Sequence, residues 1–339
     1  MKKAIAAILT FALILSTTGC AALNQFQGDK SKTGAGGSGS AATASAKMYK
    51  MVFIVKSMQL SFMLDMIEGA KAAGKDLGID VVGQGPTTPY SVEEQIQLVE
   101  QAITDKVDMV CIVPADSEAI KTAVEKCNNA GIPVITPNTK SNGGNVVTWV
   151  GVDNVEVGYE LGKQLCQSIS EKGNVVLLEG KPGNSTSEER IEGYKKAIAE
   201  YPNVKIVDSQ PADFSREAGM TLMENLLQKH KEIDACGSAN KDMTMGALEA
   251  AKAVGREKDI KFITFDMDDD VVTAVKNGEI YATGNQDPFS QGYLSILSGV
   301  GYLNGSTIPK TLYLPLKIVN KENIALYDTS KAAGNSEAR

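Results

Sequence analysis

The sequence predicts an α/β protein built from two doubly wound lobes, each with a parallel sheet. Short β-rich apolar runs alternate with amphipathic stretches from Met51 almost to the end of the chain, and strict alternation predicts parallel strands with helices on both faces. About 290 residues follow Met48, which suits two cores better than one, and roughly ten βα units exceed one open sheet of ordinary size. A closed eight-fold barrel is the alternative. A barrel would continue through Gly151-Val152-Asp153 without a break, whereas two lobes require one near these residues.

Eleven runs have the composition and length of strands. They are Met51–Val55, Asp80–Val82, Met109–Val113, Val134–Thr136, Val147–Val150, Val175–Leu178, Val204–Val207, Asp234–Cys236, Lys261–Phe265, Tyr281–Thr283 and Thr311–Val319.

Helical spacing separates these runs. Apolar residues recur at i, i+4, i+7, i+10 and i+14 from Met63 to Leu77, and a similar spacing begins at Val92. Ser91 and Glu94 have the spacing of a capping box before that second helix. Gly131-Ile132-Pro133 predicts the end of the third helix and the start of a strand.

Ligands of doubly wound sheets bind beyond the carboxyl ends of the strands. The loops at those ends are Lys56–Phe62, Gln84–Tyr90, Pro114–Ser117, Pro137–Lys140, Gly180–Arg190, Ser209–Phe214, Ser238–Asp242, Asp266–Asp270 and Asn285–Phe289. They carry amide, hydroxyl, singly charged and aromatic side chains. That mixture predicts a neutral polyhydroxylated ligand, whose hydroxyls need donors and acceptors and whose C–H faces stack on rings.

The first 47 residues predict export. Lys2 and Lys3 precede an apolar run that is too short to span a bilayer, which is typical of a secretory signal peptide over residues 1–19. Gly19-Cys20 resembles the bacterial lipobox, in which the cysteine is lipidated, although Thr17 stands where that motif usually has leucine. Residues 20–47 are rich in small and polar residues and predict a disordered tether. The alternative is an ordinary signal peptide with an incidental cysteine.

Composition and charge exclude several classes of function. The net charge of −7 argues against nucleic acid as a partner. His230 is the single histidine of the chain, so no Ser-His-Asp or Cys-His constellation exists; we interpret it as a solvated cation at a helix C-terminus. Apart from Cys20, the chain has four cysteines, Cys111, Cys127, Cys166 and Cys236. We interpret them as buried free thiols, with a disulfide or a metal site as the alternatives.

Two segments imitate cofactor and metal motifs. Gly180-Lys181-Pro182-Gly183-Asn184-Ser185 lacks the Gly-Lys-Ser/Thr order of a phosphate-binding loop. The segment from Asp266 to Asn277 lacks the glycine and glutamate of a calcium loop, so helix capping by its later aspartates is the better interpretation. The sequence therefore predicts no cofactor, no metal site and no catalytic residue.

Several segments in register resemble the bacterial ribose-binding proteins. They are Ser209-Gln210-Pro211-Ala212-Asp213-Phe214-Ser215-Arg216, Gly131-Ile132-Pro133-Val134-Ile135-Thr136, Asp153-Asn154-Val155, Arg190-Ile191-Glu192-Gly193-Tyr194, Asn240-Lys241-Asp242-Met243 and Met245-Gly246-Ala247-Leu248. The similarity runs from about Met51 to Val319. The chain thus resembles the type I periplasmic sugar-binding proteins, the solute receptors of ABC importers.

The resemblance implies two lobes joined by a hinge of three crossings, near Val152, Gln286 and Leu314. The implied N-terminal lobe comprises residues 48–152 plus 287–314, and the C-terminal lobe 153–286 plus 315–330, followed by a disordered tail over 331–339. It also implies seven ligand-binding residues, each matched by motif: Phe62, Asn138, Arg190, Phe214, Asn240, Asp266 and Gln286. In this interpretation the arginine forks onto adjacent hydroxyls and the two phenylalanines sandwich a sugar ring. Alone, the same residues could be core filler or helix caps.

Two departures from the ribose binders concern the first lobe. Asn138-Thr139 stands where they have Asp-Arg, and Leu60-Ser61-Phe62-Met63 where they have Asn-x-Phe-Phe. Two charged partners and one aromatic ring are thereby missing, and each charged hydrogen bond is worth about 1.5–3 kcal/mol. We therefore expect weak binding of ribose and a ligand with a less polar or bulkier edge, such as a hexose or deoxysugar.

The predicted function is that of an extracytoplasmic solute receptor without enzymatic activity. It captures a neutral monosaccharide or related polyol and delivers it to an ABC transporter permease. The expected form is a monomer that a lipid on Cys20 holds at the outer face of the bacterial cytoplasmic membrane, or in the periplasm. A sensor subunit that presents a sugar or furanosyl signal to a chemoreceptor or kinase is the main alternative. A repressor of the same fold would carry an N-terminal helix-turn-helix where this chain has an export signal.

Overall fold

The computed structural model describes residues Met48 to Tyr327. Two six-stranded sheets organise this part of the chain, in the orders β11-β5-β4-β3-β1-β2 and β12-β10-β9-β8-β6-β7. The strands are β1 Lys50–Ile54, β2 Asp80–Gln84, β3 Met109–Ile112, β4 Val134–Pro137, β5 Val146–Gly151, β6 Gly173–Glu179, β7 Val204–Pro211, β8 Ala235–Ser238, β9 Lys261–Phe265, β10 Ile280–Asn285, β11 Thr311–Tyr313 and β12 Lys317–Asn320. The predicted signal peptide, Cys20, the tether and the tail lie outside the described residues.

Nine α-helices connect the strands of the described region. They are α1 Ser61–Leu77, α2 Val92–Thr104, α3 Lys121–Asn129, α4 Asn154–Ser168, α5 Ser185–Ile198, α6 Arg216–Lys229, α7 Lys241–Ala253, α8 Asp269–Asn277 and α9 Pro288–Leu303. Helices α1, α2, α3 and α9 pack on the first sheet or on one another, and α4 to α8 pack in the same way on the second sheet. No helix here is long and apolar enough to cross a bilayer.

All strand pairs are parallel except β10 with β12. The chain passes from one sheet to the other after β5, after β10 and between β11 and β12. The prediction of two doubly wound α/β lobes with three crossings is therefore confirmed. We call the first sheet with its helices the first lobe, and the second sheet with its helices the second lobe; the residue boundaries given above remain a prediction.

The run predicted as one strand, Thr311–Val319, is two strands in different sheets. β11 pairs with β5 of the first sheet, and β12 pairs with β10 of the second. Pro315 stands between them and has no N–H to donate to a ladder. Leu314, the residue before the proline, still pairs with the first sheet, because its N–H donates to the carbonyl of Gly151 at 2.8 Å. The chain therefore leaves the first sheet at Pro315.

Three local expectations need correction. Leu77 is 36% exposed although Met63, Ile67, Ala70 and Ala73 are buried, because Leu77 is the last residue of α1 and the left-handed Gly78 follows it. Ser91 caps α2, but the Glu94 carboxylate accepts from Thr87 and Thr88 instead of from Ser91. His230 is not solvated: its side chain is 19% exposed, and Nε2 lies 3.0 Å from Asp208.

Other local expectations hold. Gly131 has φ +73° after α3, as a helix-terminating glycine requires, and Asp268 caps α8 by accepting from Val271. The four cysteines of the described region are buried and free. Burial raises the pKa of each thiol, so these groups are inert packing residues.

Helices α1 and α9 of the first lobe approach each other more closely than side chains would allow. A Cβ atom added to Gly292 of α9 would lie 1.9 Å from the backbone oxygen of Met66 in α1. A Cβ on Gly69 of α1 would likewise lie 2.0 Å from the backbone oxygen of Phe289. Glycine is required at these two contacts because the colliding atoms are backbone atoms, which no rotamer change can move.

Candidate ligand-binding site

The seven residues implied by the resemblance line one cavity between the two lobes. The cavity lies at the carboxyl ends of the strands, and the closed lobes leave about 30 Å³ in it for water-sized molecules. Its lining consists of Lys56, Leu60, Phe62, Met63, Tyr90, Asn138, Thr186, Arg190, Phe214, Asn240, Asp242, Asp266 and Gln286.

Arg190 in α5 is held from three directions. It is 2% exposed, and its Nε donates to Asn154 at 3.0 Å while one terminal nitrogen donates to the carbonyl of Ala239 at 2.6 Å. The other terminal nitrogen donates to Oε1 of Gln286. The guanidinium carbon lies 4.1 Å from the centre of the Phe265 ring. These contacts fix the plane of the guanidinium, as bidentate recognition requires.

Asp266, at the end of β9, is the buried carboxylate of the cavity. Its side chain accepts from the amide of Gln286. Burial raises the pKa of this carboxyl, while Arg190 and then the Gln286 hydrogen bond act to lower it. In the case of Arg190, burial disfavours the cation and lowers the pKa to about 10, and the charge of Asp266 opposes that shift. Arg190, Gln286 and Asp266 therefore form one network in which the charge of each ion supports the other.

Four lining residues have positive φ, namely Tyr90, Asn138, Phe214 and Asp266. Residues other than glycine adopt this conformation at an energetic cost, and such strain is concentrated at functional sites. The strained backbone around the cavity therefore indicates a functional constraint in addition to the stability of the fold.

Asn240 lines the cavity and also caps a helix. Its Oδ1 accepts from the N–H of Met243 and so caps α7, while its Nδ2 donates to the carbonyl of Phe214. Phe214 stacks on Tyr90, with 5.9 Å between ring centres. A Cβ at Gly180 would lie 2.1 Å from the Phe214 ring. The absence of a side chain at Gly180 therefore allows the ring to occupy its position.

The lining includes residues that sequence reasoning did not single out: Lys56, Tyr90, Thr186 and Asp242, with Leu60 and Met63 noted only as departures. All but Met63 lie in strand-end loops already selected. The resemblance did not identify these residues, because only seven positions matched by motif were carried over from it.

Lys56 corrects the expectation that the first lobe lacks charge. Its ammonium donates to Oδ1 of Asn138 at 3.3 Å and to Oγ1 of Thr139 at 3.0 Å. The two residues that replace the Asp-Arg pair therefore bind a cation supplied by the end of β1. The carboxyl ends of the parallel strands lie at one edge of the sheet, so the loop after β1 can place a charge beside the loop after β4, two strands away.

Polar contacts also join the lobes around the cavity. The hydroxyls of Thr139 and Thr186 lie 2.9 Å apart, and Lys140 pairs with Glu189 at 2.7 Å. The N–H of Ser185 donates to the Ser117 hydroxyl at 3.1 Å. These contacts hold the lobes together in a closed arrangement over the cavity.

The described residues contain no group of three or more side chains that could hold a metal ion. The charged side chains near the cavity mouth pair with each other instead. Lys241 lies 3.5 Å from Asp242 and also contacts Asp268.

Comparisons with known proteins agree with this architecture. The family model described as "Periplasmic binding protein domain" matches residues 51–307. The ribose import binding protein RbsB of Bacillus subtilis is 34% identical over 94% of this chain and 99% of its own length. A periplasmic solute binding protein of an ABC transporter from Actinobacillus succinogenes, solved with bound D-allose, has a TM-score of 0.79 at 31% identity, covering 82% of this chain and 100% of that one.

A solute binding protein from Bacillus halodurans, solved with bound myo-inositol, has a TM-score of 0.78 at 27% identity and covers 83% of this chain and 98% of that one. The match of the family model over most of the chain, together with the identity to a ribose import binding protein, shows the family. The chain belongs to the type I periplasmic sugar-binding proteins.

Proposed function

We propose that this protein is an extracytoplasmic receptor that binds a neutral monosaccharide or related polyol between its lobes and delivers it to an ABC importer. The observation that carries the proposal is the convergence of Phe62, Asn138, Arg190, Phe214, Asn240, Asp266 and Gln286 on one cavity at the strand ends. Relatives solved with D-allose and myo-inositol support the ligand class, and the import binding proteins among the curated relatives support import over sensing.

The ionisable side chains of the cavity favour a neutral ligand. Lys56, Arg190 and the adjacent Lys241 are matched in number by Asp266, Asp242 and Asp268. A ligand with a full charge would leave that charge uncompensated in a buried site, which costs several kcal/mol by order of magnitude. Hydroxyl groups donate and accept, so they suit both kinds of side chain.

The proposed cycle needs movement and no chemistry. Ligand binds to the open cleft, the lobes close about the three crossings, and the closed form is recognised by the transporter. Interlobe contacts such as Thr139 with Thr186 and Lys140 with Glu189 belong to the closed form. We place the lobe boundaries at residues 48–152 plus 287–314 and 153–286 plus 315–330.

A thermal-shift and calorimetric panel tests this function. The mature domain is titrated with D-ribose, D-arabinose, D-allose, D-glucose, D-galactose, D-fructose, D-tagatose, myo-inositol and glycerol. At 100 times its Kd, a ligand adds about 2.7 kcal/mol to the free energy of unfolding. We expect one neutral member to bind, and ribose to bind less tightly than that member.

Two outcomes contradict these expectations separately. Absence of binding across the whole panel would contradict the proposed function. Sub-micromolar binding of ribose, tighter than for every other sugar, would leave the function standing and show that the first-lobe substitutions do not exclude ribose.

The proposed anchor is tested at Cys20. Cys20→Ser removes the thiol that would carry the lipid, so we expect an exported protein that is released from membranes, because the signal peptide is cleaved off and no lipid remains to hold the mature chain. The readout is immunodetection in membrane and soluble fractions. Ser38→Ala, in the same predicted tether, is the control and should fractionate as wild type. Equal membrane retention of the Cys20 variant would refute the anchor.

A further inference from the structure

We infer that Gln291 is a positioning residue, which holds the backbone of Gln286 and thereby orients the Gln286 side chain in the proposed ligand site. This inference rests on the proposed function and adds a residue that does not itself line the cavity. Gln291 lies near the start of α9 and is fully buried. Its Nε2 donates to the backbone carbonyl of Gln286 at 2.9 Å.

This hydrogen bond joins the first lobe to one of the crossings. Gln286 and Asp287 connect β10 of the second sheet to α9 of the first lobe, and we call these two residues the second crossing. The start of α9 is itself fixed, because the backbone of Gly292 packs directly against that of Met66 in α1. Gln291 therefore ties the second crossing to a firmly packed part of the first lobe.

The side chain of Gln286 carries this constraint into the cavity. Its Oε1 accepts from the guanidinium of Arg190, and its Nε2 donates to Asp266. The amide has to keep one orientation, because its oxygen faces a cation and its nitrogen faces a carboxylate. Since a side chain turns with its backbone, a rotation at residue 286 would move both atoms away from these partners.

Backbone strain at the second crossing indicates why a support is present there. Asp287 has φ +53°, a conformation that residues other than glycine adopt at an energetic cost. Such conformations persist only where the surrounding structure holds them. The N–H of Asp287 donates to Oδ1 of Asn285 at 3.1 Å, and its Oδ1 accepts from the N–H of Ser290 at 3.1 Å. Gln291 adds a contact at the residue before the strained position.

A purely structural role explains Gln291 poorly. Its Oε1 is buried and has no hydrogen-bond partner within residues 48–327. A buried amide oxygen without a partner costs free energy, and that cost offsets the single bond made by Nε2. Gln95 is another fully buried glutamine of the first lobe, but both ends of its amide are satisfied. The half-satisfied amide of Gln291 therefore fits a residue that is retained for its hold on the second crossing.

The test is a double-mutant cycle that combines Gln291→Met with Gln286→Ala. Methionine is unbranched and close to glutamine in volume, and it removes the donor. It also exchanges one unpaired buried oxygen for another, because Oε1 of Gln291 disappears while the carbonyl of Gln286 loses its partner. Gln291→Leu, which lacks the donor as well, is measured beside it. The ligand is the panel sugar that wild type binds most tightly.

The matched control is Ser295→Ala, one turn further along α9. It removes a buried side-chain bond, from the Ser295 hydroxyl to the carbonyl of Gln291 at 2.7 Å, and leaves the bond to the second crossing in place. Affinity is measured by calorimetric titration and stability by the ligand-free Tm. Thermal shifts at high sugar concentration extend the affinity measurement to the weakest variant.

We expect Gln291→Met to weaken binding about fivefold or more in the wild-type background and less than about twofold in the Gln286→Ala background. The two effects are not additive, because nothing remains to be oriented once the Gln286 side chain is absent. The ligand-free Tm of Gln291→Met should stay within about 3 °C of wild type. Ser295→Ala should keep the wild-type affinity within about twofold.

Wild-type affinity in Gln291→Met would overturn the inference and leave the proposed function intact. An equal loss of affinity in both backgrounds would also overturn it, since Gln291 would then act without the Gln286 side chain. Failure of both Gln291→Met and Gln291→Leu to fold would show a structural residue and overturn it too. If wild type binds no member of the panel, the proposed function fails first, and the inference fails with it.

Discussion

Replacing Arg190 with alanine is expected to weaken ligand binding by about 2 kcal/mol or more, roughly thirtyfold. The guanidinium donates to Ala239 and Gln286, and its charge lowers the pKa of Asp266 more than that of any other cation. Its loss removes the strongest counter-charge of a buried carboxylate, which costs about 3 kcal/mol of stability. Calorimetric titration with the panel sugar and thermal melting of the ligand-free protein measure the two effects.

The pH dependence of this variant has a definite sign. Burial already raises the pKa of Asp266, and Arg190 holds it down, so the alanine variant raises it further. A carboxyl whose folded pKa lies above its unfolded value takes up protons on folding, so the free energy of unfolding falls as the pH rises from the unfolded to the folded pKa and stays constant above it. Arg190→Ala should therefore lose more stability at pH 8 than at pH 5. Adding Asp266→Asn should restore part of the loss at pH 8.

Arg216→Ala is the matched control, because Arg216 is half-exposed and pairs with Glu249 on the surface of the second lobe. Surface ion pairs contribute about 0–1 kcal/mol, so its affinity should match wild type. Wild-type affinity in Arg190→Ala would remove Arg190 from the ligand site, whatever its effect on stability.

The second large effect is expected from Gly292→Ala in the first lobe. The new Cβ would lie 1.9 Å from the backbone oxygen of Met66, so α9 and α1 must separate. Overpacking against backbone costs about 3 kcal/mol or more, which corresponds to a fall in Tm of roughly 6 °C or more for a lobe of this size. Calorimetric melting of the ligand-free protein measures it.

The same helix offers a control with the opposite expected sign. At Gly301 the nearest atom to an added Cβ is the side-chain Cδ1 of Ile308, at 3.3 Å. Alanine is favoured over glycine in a helix by roughly 0.5–1 kcal/mol, so Gly301→Ala should keep or slightly raise Tm. Equal melting temperatures for the two variants would mean that α1 and α9 do not pack as described.

Much of the fold was predictable because it depends on local pattern. The spacing from Met63 to Ala73 marks the buried face of α1, and Gly131 marks the end of α3. The exceptions are places where a distant partner decides. Thr311–Val319 reads as one strand in sequence, but β5 and β10 of different sheets each pair with one half of it. His230 reads as solvated because Asp208, its partner, is 22 residues away.

The sequence alone determined the family, the alternation of strands and helices, and the set of strand-end loops from which a ligand site could be built. It did so because hydrophobic period, capping residues and short motifs are local properties of the chain. Tertiary structure alone decided which side chains of those loops meet. Lys56 and Asn138 are 82 positions apart, and Asn138 and Gln286 are 148 apart. Packing of the sheets brings their atoms to hydrogen-bonding distance, and the charge that the loop after β4 lacks is supplied by the end of β1.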